Sequence, residues 1–152
     1  MAVTSGFFEA QFDINDNPDR EYSAEQFGAL FDGIISDGIF KNYGNAMEVN
    51  KDNVVVEQDE DGVNKYKVYI KTGRAWLDHT WTLNNSDYAV YLDAPEAVNN
   101  RIDLIVLRVN KTERSNRFVV INGRSYGGTG TATRPPITIT DTVKDYVIAE
   151  VH

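Results

Sequence analysis

The sequence predicts an α+β chain, mainly antiparallel β in a sandwich or barrel-like sheet, with one N-terminal amphipathic helix over about residues 24–36 packed on it. Three stretches carry this expectation. Residues 100–109 read Asn-Arg-Ile-Asp-Leu-Ile-Val-Leu-Arg-Val, with four apolar side chains in a row at 104–107. A strand sends successive side chains to opposite faces, so an unbroken apolar run marks a strand covered on both sides. The β-branched Ile102, Ile105, Val106 and Val109 favour strand over buried helix. Next, residues 65–71 alternate, with Tyr66, Val68 and Ile70 on one face and Lys65, Lys67, Tyr69 and Lys71 on the other. Finally, Phe27, Leu30, Phe31, Ile34 and Ile35 recur at the spacing of one helical face.

The elements follow in order along one expected domain, 1–152. Residues 1–12 form an apolar arm holding Val3, Phe7, Phe8 and Phe12, which either covers the core or docks on another chain. Residues 13–21 are a polar loop. Its Asp13, Asn15 and Asn17 have the opening spacing of a calcium loop, but Pro18 stands where that loop needs glycine and Ala24 where it needs a bidentate Glu. An Asx-rich turn is the better reading. The helical segment, 23–37, opens on Ser23 with Gln26 three residues on, a capping-box pattern, and Tyr22 and Phe27 occupy the staple positions. Gly38 is placed to take a left-handed cap.

The β-rich body spans 47–151. Strands are expected at 47–49 and 54–57, then an Asp61-Gly62 hairpin turn, then strands at 66–71, 75–77, 81–83 and 88–92. The run Phe118-Val119-Val120-Ile121 is the natural antiparallel neighbour of 104–107, the two together making the middle of the sheet. Residues 123–136 form a long glycine- and proline-containing loop, Ile137 and Ile139 alternate with Thr138 and Thr140, and 146–151 offers a last strand.

Composition narrows the chemistry. Hydrophobic content of 41% with 25% charged residues is that of a globular chain able to bury a core. The absence of cysteine removes disulfides, thiol catalysis and thiolate metal sites together. A net charge of −8 argues against a nucleic-acid surface, which needs clustered cations. No window approaches the ~20 apolar residues of a membrane helix, and the N-terminus lacks the pattern of a secretory signal, so a chain made and kept soluble in a cytoplasm is expected.

Catalytic candidates are few. His79 and His152 lie far apart and neither has a ligand spacing around it. Gly127-Gly128-Thr129-Gly130-Thr131 lacks the lysine of a phosphate loop, and Pro135-Pro136 forbids the helix that would follow. Arg101 and Asp103, two apart on one strand face, read as a structural ion pair before an acid–base pair. No catalytic residue, cofactor or metal ligand is assigned, and an enzyme is not expected.

Several segments resemble a known family in order and spacing. Ser5-Gly6-Phe7-Phe8, Tyr22-Ser23-Ala24-Glu25-Gln26-Phe27, Phe31-Asp32-Gly33-Ile34-Ile35 with Gly38, Gly73-Arg74-Ala75-Trp76 and residues 100–107 together are similar to the N-terminal domain of tail baseplate proteins of long-tailed bacteriophages, of the upper-baseplate and receptor-binding type. The resemblance spans nearly the whole chain, although each motif alone consists of core and turn residues. It implies a virion structural protein, assembled in the bacterial cytoplasm, that attaches receptor-binding modules to the tail hub for host adsorption. The implied partners are further copies of itself (a trimer), the hub or distal tail protein and a receptor-binding tip protein, with neither nucleic acid nor membrane insertion. In that family further sequence usually follows, so this chain is expected to be either an N-terminal part or a short form. Phe7, Phe8, Phe40 and Tyr43 are the candidate partner anchors. The alternative is a carbohydrate-binding β-domain contacting host cell-wall polysaccharide through Trp76, Trp81, Tyr88 and Tyr91, if several of these are exposed on one face.

Overall fold

The computed structural model describes residues 11–18, 22–58, 62–94, 99–127 and 130–152. Phe7 and Phe8, the first ten residues of the arm and most of the expected 59–62 turn lie outside the described residues. The chain divides into two compact units, Met1–Ser36 and Asp37–His152.

In the first unit, Asp13 organises a short turn. Its carboxylate accepts from the backbone N–H of Asn15 at 2.7 Å and of Asn17 at 3.0 Å, and from the Asn17 side chain at 3.1 Å. These bonds, the Asn17 N–H first, hold the Asp13 carboxyl below the ordinary range. The oxygens are occupied by N–H groups, as in an Asx turn. Helix α1 spans Ala24–Ala29. The capping box is present: Ser23 Oγ accepts the Gln26 N–H at 3.1 Å and Gln26 Oε1 accepts the Ser23 N–H at 2.9 Å.

The helix expected over 24–36 stops after six residues. From Phe31 on, the N–H groups of Phe31 and Asp32 bond three residues back, to Gly28 and Ala29, and Gly33 takes φ +78°. Two glycines within ten residues weaken the helix, and the second adopts the left-handed conformation expected at Gly38. Phe27, Leu30 and Ile34, three members of the apolar stripe, are exposed.

The second unit is mainly antiparallel β. Its strands are β1 (Gly38–Ile39), β2 (Val49–Gln58), β3 (Asn64–Ile70), β4 (Gly73–Leu77), β5 (Thr80–Asn84), β6 (Tyr88–Asp93), β7 (Asn99–Asn100), β8 (Asp103–Asn110), β9 (Ser115–Ile121), β10 (Tyr126–Gly127) and β11 (Val143–Val151). They form three-stranded sheets in the orders β1-β4-β5, β2-β3-β6 and β11-β8-β9, and a two-stranded ribbon β10-β7.

Strand β8 is the run singled out from the sequence. Leu104, Ile105, Val106 and Leu107 are all 0% exposed. Ile105, Leu107 and Val109 join Val68, Ile70, Val90 and Leu92 from the β2-β3-β6 sheet, Ala75 and Leu77 from β4, and Met47 in one core. Tyr66 packs against it, so the Tyr66–Val68–Ile70 face is inward as expected. The β9 strand pairs with β8 in the expected antiparallel sense, with Leu104 opposite Ile121 and Leu107 opposite Phe118. Only β8 is central, however. On its other side lies β11, and β9 is an edge of that sheet. Ile139 makes a single bridge to Lys144 and no strand, in a segment led by two prolines without N–H donors.

Two buried carboxylates tie elements together. Asp145 lies directly across from Arg108, which donates from Nε at 2.6 Å and Nη2 at 2.9 Å, and the Thr138 N–H adds a third bond at 2.8 Å. Asp78 pairs with Lys144 and, at 3.0 Å, with Lys111. Burial pushes both carboxyls up, but the hydrogen bonds and charges of their partners outweigh it and hold them below the usual value of 3.8. A lowered folded pKa stabilises the fold fully above the unfolded value, and the contribution is lost as pH falls through the folded one.

Thermal stability should therefore be level near neutrality and fall on acidification below about pH 4, and Asp145→Asn should lower the melting temperature at pH 7 while flattening that acid limb. An unchanged acid limb in the variant would refute the assignment. Leu107→Ala should cost about 2–5 kcal/mol in chemical denaturation, and a loss below about 1 kcal/mol would mean the strand is not the centre of the core.

Candidate functional site

The β4–β5 hairpin turns through Asp78 and His79, at φ +46° and +64°. Two consecutive positive φ values make a type I′ turn, which matches the right-handed twist of a tight hairpin. Neither residue is glycine. Asp78 is held in place by Lys111 and Lys144, and its N–H donates to Asp37 Oδ1 at 2.9 Å. A two-residue turn fixes the register, with Trp76 opposite Trp81 and Arg74 opposite Leu83. Directly opposed residues share a face, so one side of this hairpin carries Ala75 and Leu77 into the core and the other carries Arg74, Trp76, Trp81 and Leu83.

The β1 strand extends the outer face. Ile39 lies across from Ala75 and packs inward, and the Phe40 N–H donates to the Arg74 carbonyl at 2.9 Å, which sets Phe40 beside Arg74. Tyr43 follows in the next turn, its ring centroid 4.3 Å from the Arg74 guanidinium carbon. The result is an apolar and aromatic surface in open solvent. Trp81 is 69% exposed, Tyr43 40%, Phe40 39% and Leu83 38%, while Trp76 is buried at 9%.

The turn that carries Phe40 and Tyr43 is firmly held. Ala46 and Met47 both adopt φ +53°, which costs a side-chain-bearing residue energy and persists only where the surroundings impose it. The surroundings do so here. Met47 is fully buried, and the N–H groups of Asn45 and Met47 both donate to the Thr72 carbonyl, at 2.9 and 3.2 Å. Gly73 has no room for a side chain, since a Cβ there would lie 2.5 Å from the Met47 nitrogen.

The other sequence candidates fall elsewhere. Of the four anchors, Phe40 and Tyr43 come together on this face, whereas Phe7 and Phe8 lie outside the described residues. Arg74, Trp81 and Leu83 belong to it and were not among the anchors. The signal for them was the spacing of the Asp78-His79 turn, which pairs the two flanking strands. The four aromatics of the sugar-stacking alternative do not share one exposed face. Trp76 is buried, Trp81 is on the β1-β4-β5 sheet, and Tyr88 and Tyr91 are three apart in β6, so they point to opposite sides. Tyr88 meets Phe118 at 5.0 Å between ring centroids. Tyr91 and Tyr69 flank the Lys67 ammonium at 5.6 and 5.7 Å, and that ammonium donates to Glu57 at 3.0 Å, which raises its pKa.

A concavity of about 1010 Å³ opens beside β3, β6 and β8. Tyr66, Leu92 and Val151 contribute apolar walls, and Arg101 and Asp103 sit at its polar side. Arg101 binds Asp103 bidentately, Nε at 2.8 Å and Nη2 at 2.8 Å, and the Gly123 N–H adds a bond at 2.8 Å. This is the structural ion pair expected from the sequence. His152 meets Glu150 at 3.2 Å, and His79 stands on the I′ turn. Among the described residues no three His, Asp or Glu side chains gather as a metal ion would require, and no helix is long and apolar enough to cross a membrane.

No family model, curated protein or solved structure matches this chain.

Gly73→Ala should destabilise the second unit by about 1–3 kcal/mol, because the added methyl displaces Met47, and should release the Tyr43–Arg74 contact. Denaturation together with the chemical shifts of the Tyr43 ring checks both. A variant as stable as the parent, with unshifted Tyr43 resonances, would mean the turn is not held as described.

Proposed function

We propose that this chain is a structural component of a phage tail baseplate, without catalysis of its own, that docks on the tail hub and carries receptor-binding modules for host adsorption. The observation that carries the reading is the rigid, solvent-facing surface of Phe40, Tyr43, Arg74, Trp81 and Leu83. Protein interfaces are anchored by Trp, Tyr and Arg in a well-packed setting, and large aromatics are otherwise costly to leave in water. The motif resemblance supplies the biological context, including self-association as a trimer, a hub and a receptor-binding tip as partners, and residence in the virion.

The finer fold expectation belongs to the same reading: the three-stranded sheets pack as a sandwich. The exposed Phe27, Leu30 and Ile34 offer a further apolar surface for assembly.

Light scattering of the purified chain, alone and mixed with the distal tail protein of the same phage, tests the proposal. A trimer that forms a stoichiometric complex with the hub is expected. A monomer indifferent to the hub would overturn it.

A further inference from the structure

The outer face of the β1-β4-β5 sheet has a polarity that differs from the rest of the chain. The protein carries 23 acidic against 15 basic residues. Yet β1, β4, β5 and the 40–47 turn contain two charged residues only, Lys41 and Arg74, and both are cations. The arginines of β8 and β9 are matched, Arg108 by Asp145 and Arg117 by Glu113. Arg74 is exposed and has no carboxylate partner among the described residues. It lies over the Tyr43 ring, a contact that uses none of its hydrogen-bond donors on an acid.

Resting on the docking function proposed above, we infer that this face takes a protein segment presenting an Asp or Glu next to a large apolar side chain. The carboxylate meets the Arg74 guanidinium, and the apolar group lies on Trp81, Leu83 and Phe40. The planar, fixed fork of Arg74 suits bidentate recognition of a carboxylate. The chain's overall negative charge does not oppose this at close range, because at physiological ionic strength exposed charges beyond about 8 Å are largely screened. The local cation therefore governs the contact.

The experiment measures hub affinity by calorimetry for the parent chain, Arg74→Gln, Arg74→Lys, Trp81→Thr and Phe40→Ala, between about 50 and 500 mM NaCl. Circular dichroism confirms that each variant folds, and two separate apolar variants keep the test standing if one does not. Expected are a weakening of about tenfold or more in Trp81→Thr or Phe40→Ala, a similar weakening in Arg74→Gln, an intermediate loss in Arg74→Lys, and a salt dependence of the parent that Arg74→Gln lacks. If the apolar variants weaken the complex but Arg74→Gln binds as the parent does at every salt concentration, the acidic-partner inference is overturned and docking at this face stands. If the parent does not bind, or neither apolar variant changes affinity, docking at this face is itself overturned and the inference falls with it.

Discussion

Burial of β8 on both faces is the constraint that the second unit is built around. Four consecutive side chains of this strand are removed from water, each worth roughly 1.5–3 kcal/mol relative to exposure. The same burial leaves no solvent to satisfy the strand's backbone, so its N–H and C=O groups must be paired laterally. Strands β9 and β11 do this from either side. The β3–β6 pair and β4 then share its core, because Ile105, Leu107 and Val109 need apolar partners that these strands present at alternate positions. The order of the other strands is in this sense a response to one segment.

Charge inside the protein serves position more than stability. Replacing a buried ion pair by apolar residues is often neutral, whereas breaking one is costly. Arg108 and Asp145 stand directly opposite in the β8–β11 register, so a one-residue slip would leave a buried carboxylate without its guanidinium. Asp78 does the same for the hairpin turn, joining it to Lys111 and Lys144 on separate elements. Arg101 and Asp103 close a third such contact beside Gly123, where a Cβ would stand 2.0 Å from the Ile102 carbonyl oxygen.

What was legible in the sequence follows from what a pattern can encode. Residues 104–107 announced themselves because only a strand covered on both sides keeps four apolar side chains in succession, and the period of two at 65–71 sorted β3 into its inner and outer faces. The helix was overdrawn. Periodicity states which residues share a side, and Phe27, Leu30 and Ile34 do, but it does not state what that side meets or whether Gly28 and Gly33 will let the helix run on. The aromatic face was half legible. Phe40 and Tyr43 stood out by type, whereas Arg74, Trp81 and Leu83 depend on pairing across a turn, and Asp78-His79 carries no glycine to advertise the I′ geometry. A two-residue strand such as β1 has no period to read.

The tight seat of Met47 against Gly73 has a consequence for recognition. Ordering a loop when a partner arrives subtracts from affinity, by about 0.5–1.5 kcal/mol for each side chain immobilised. In the 40–47 turn the backbone share of that ordering is already complete on folding, with the unfavourable torsions at Ala46 and Met47 held by the burial of Met47. A partner reaching Phe40 and Tyr43 meets side chains whose backbone is settled, so encounter converts to complex without a slow rearrangement, and differences between ligands show chiefly in how fast they leave.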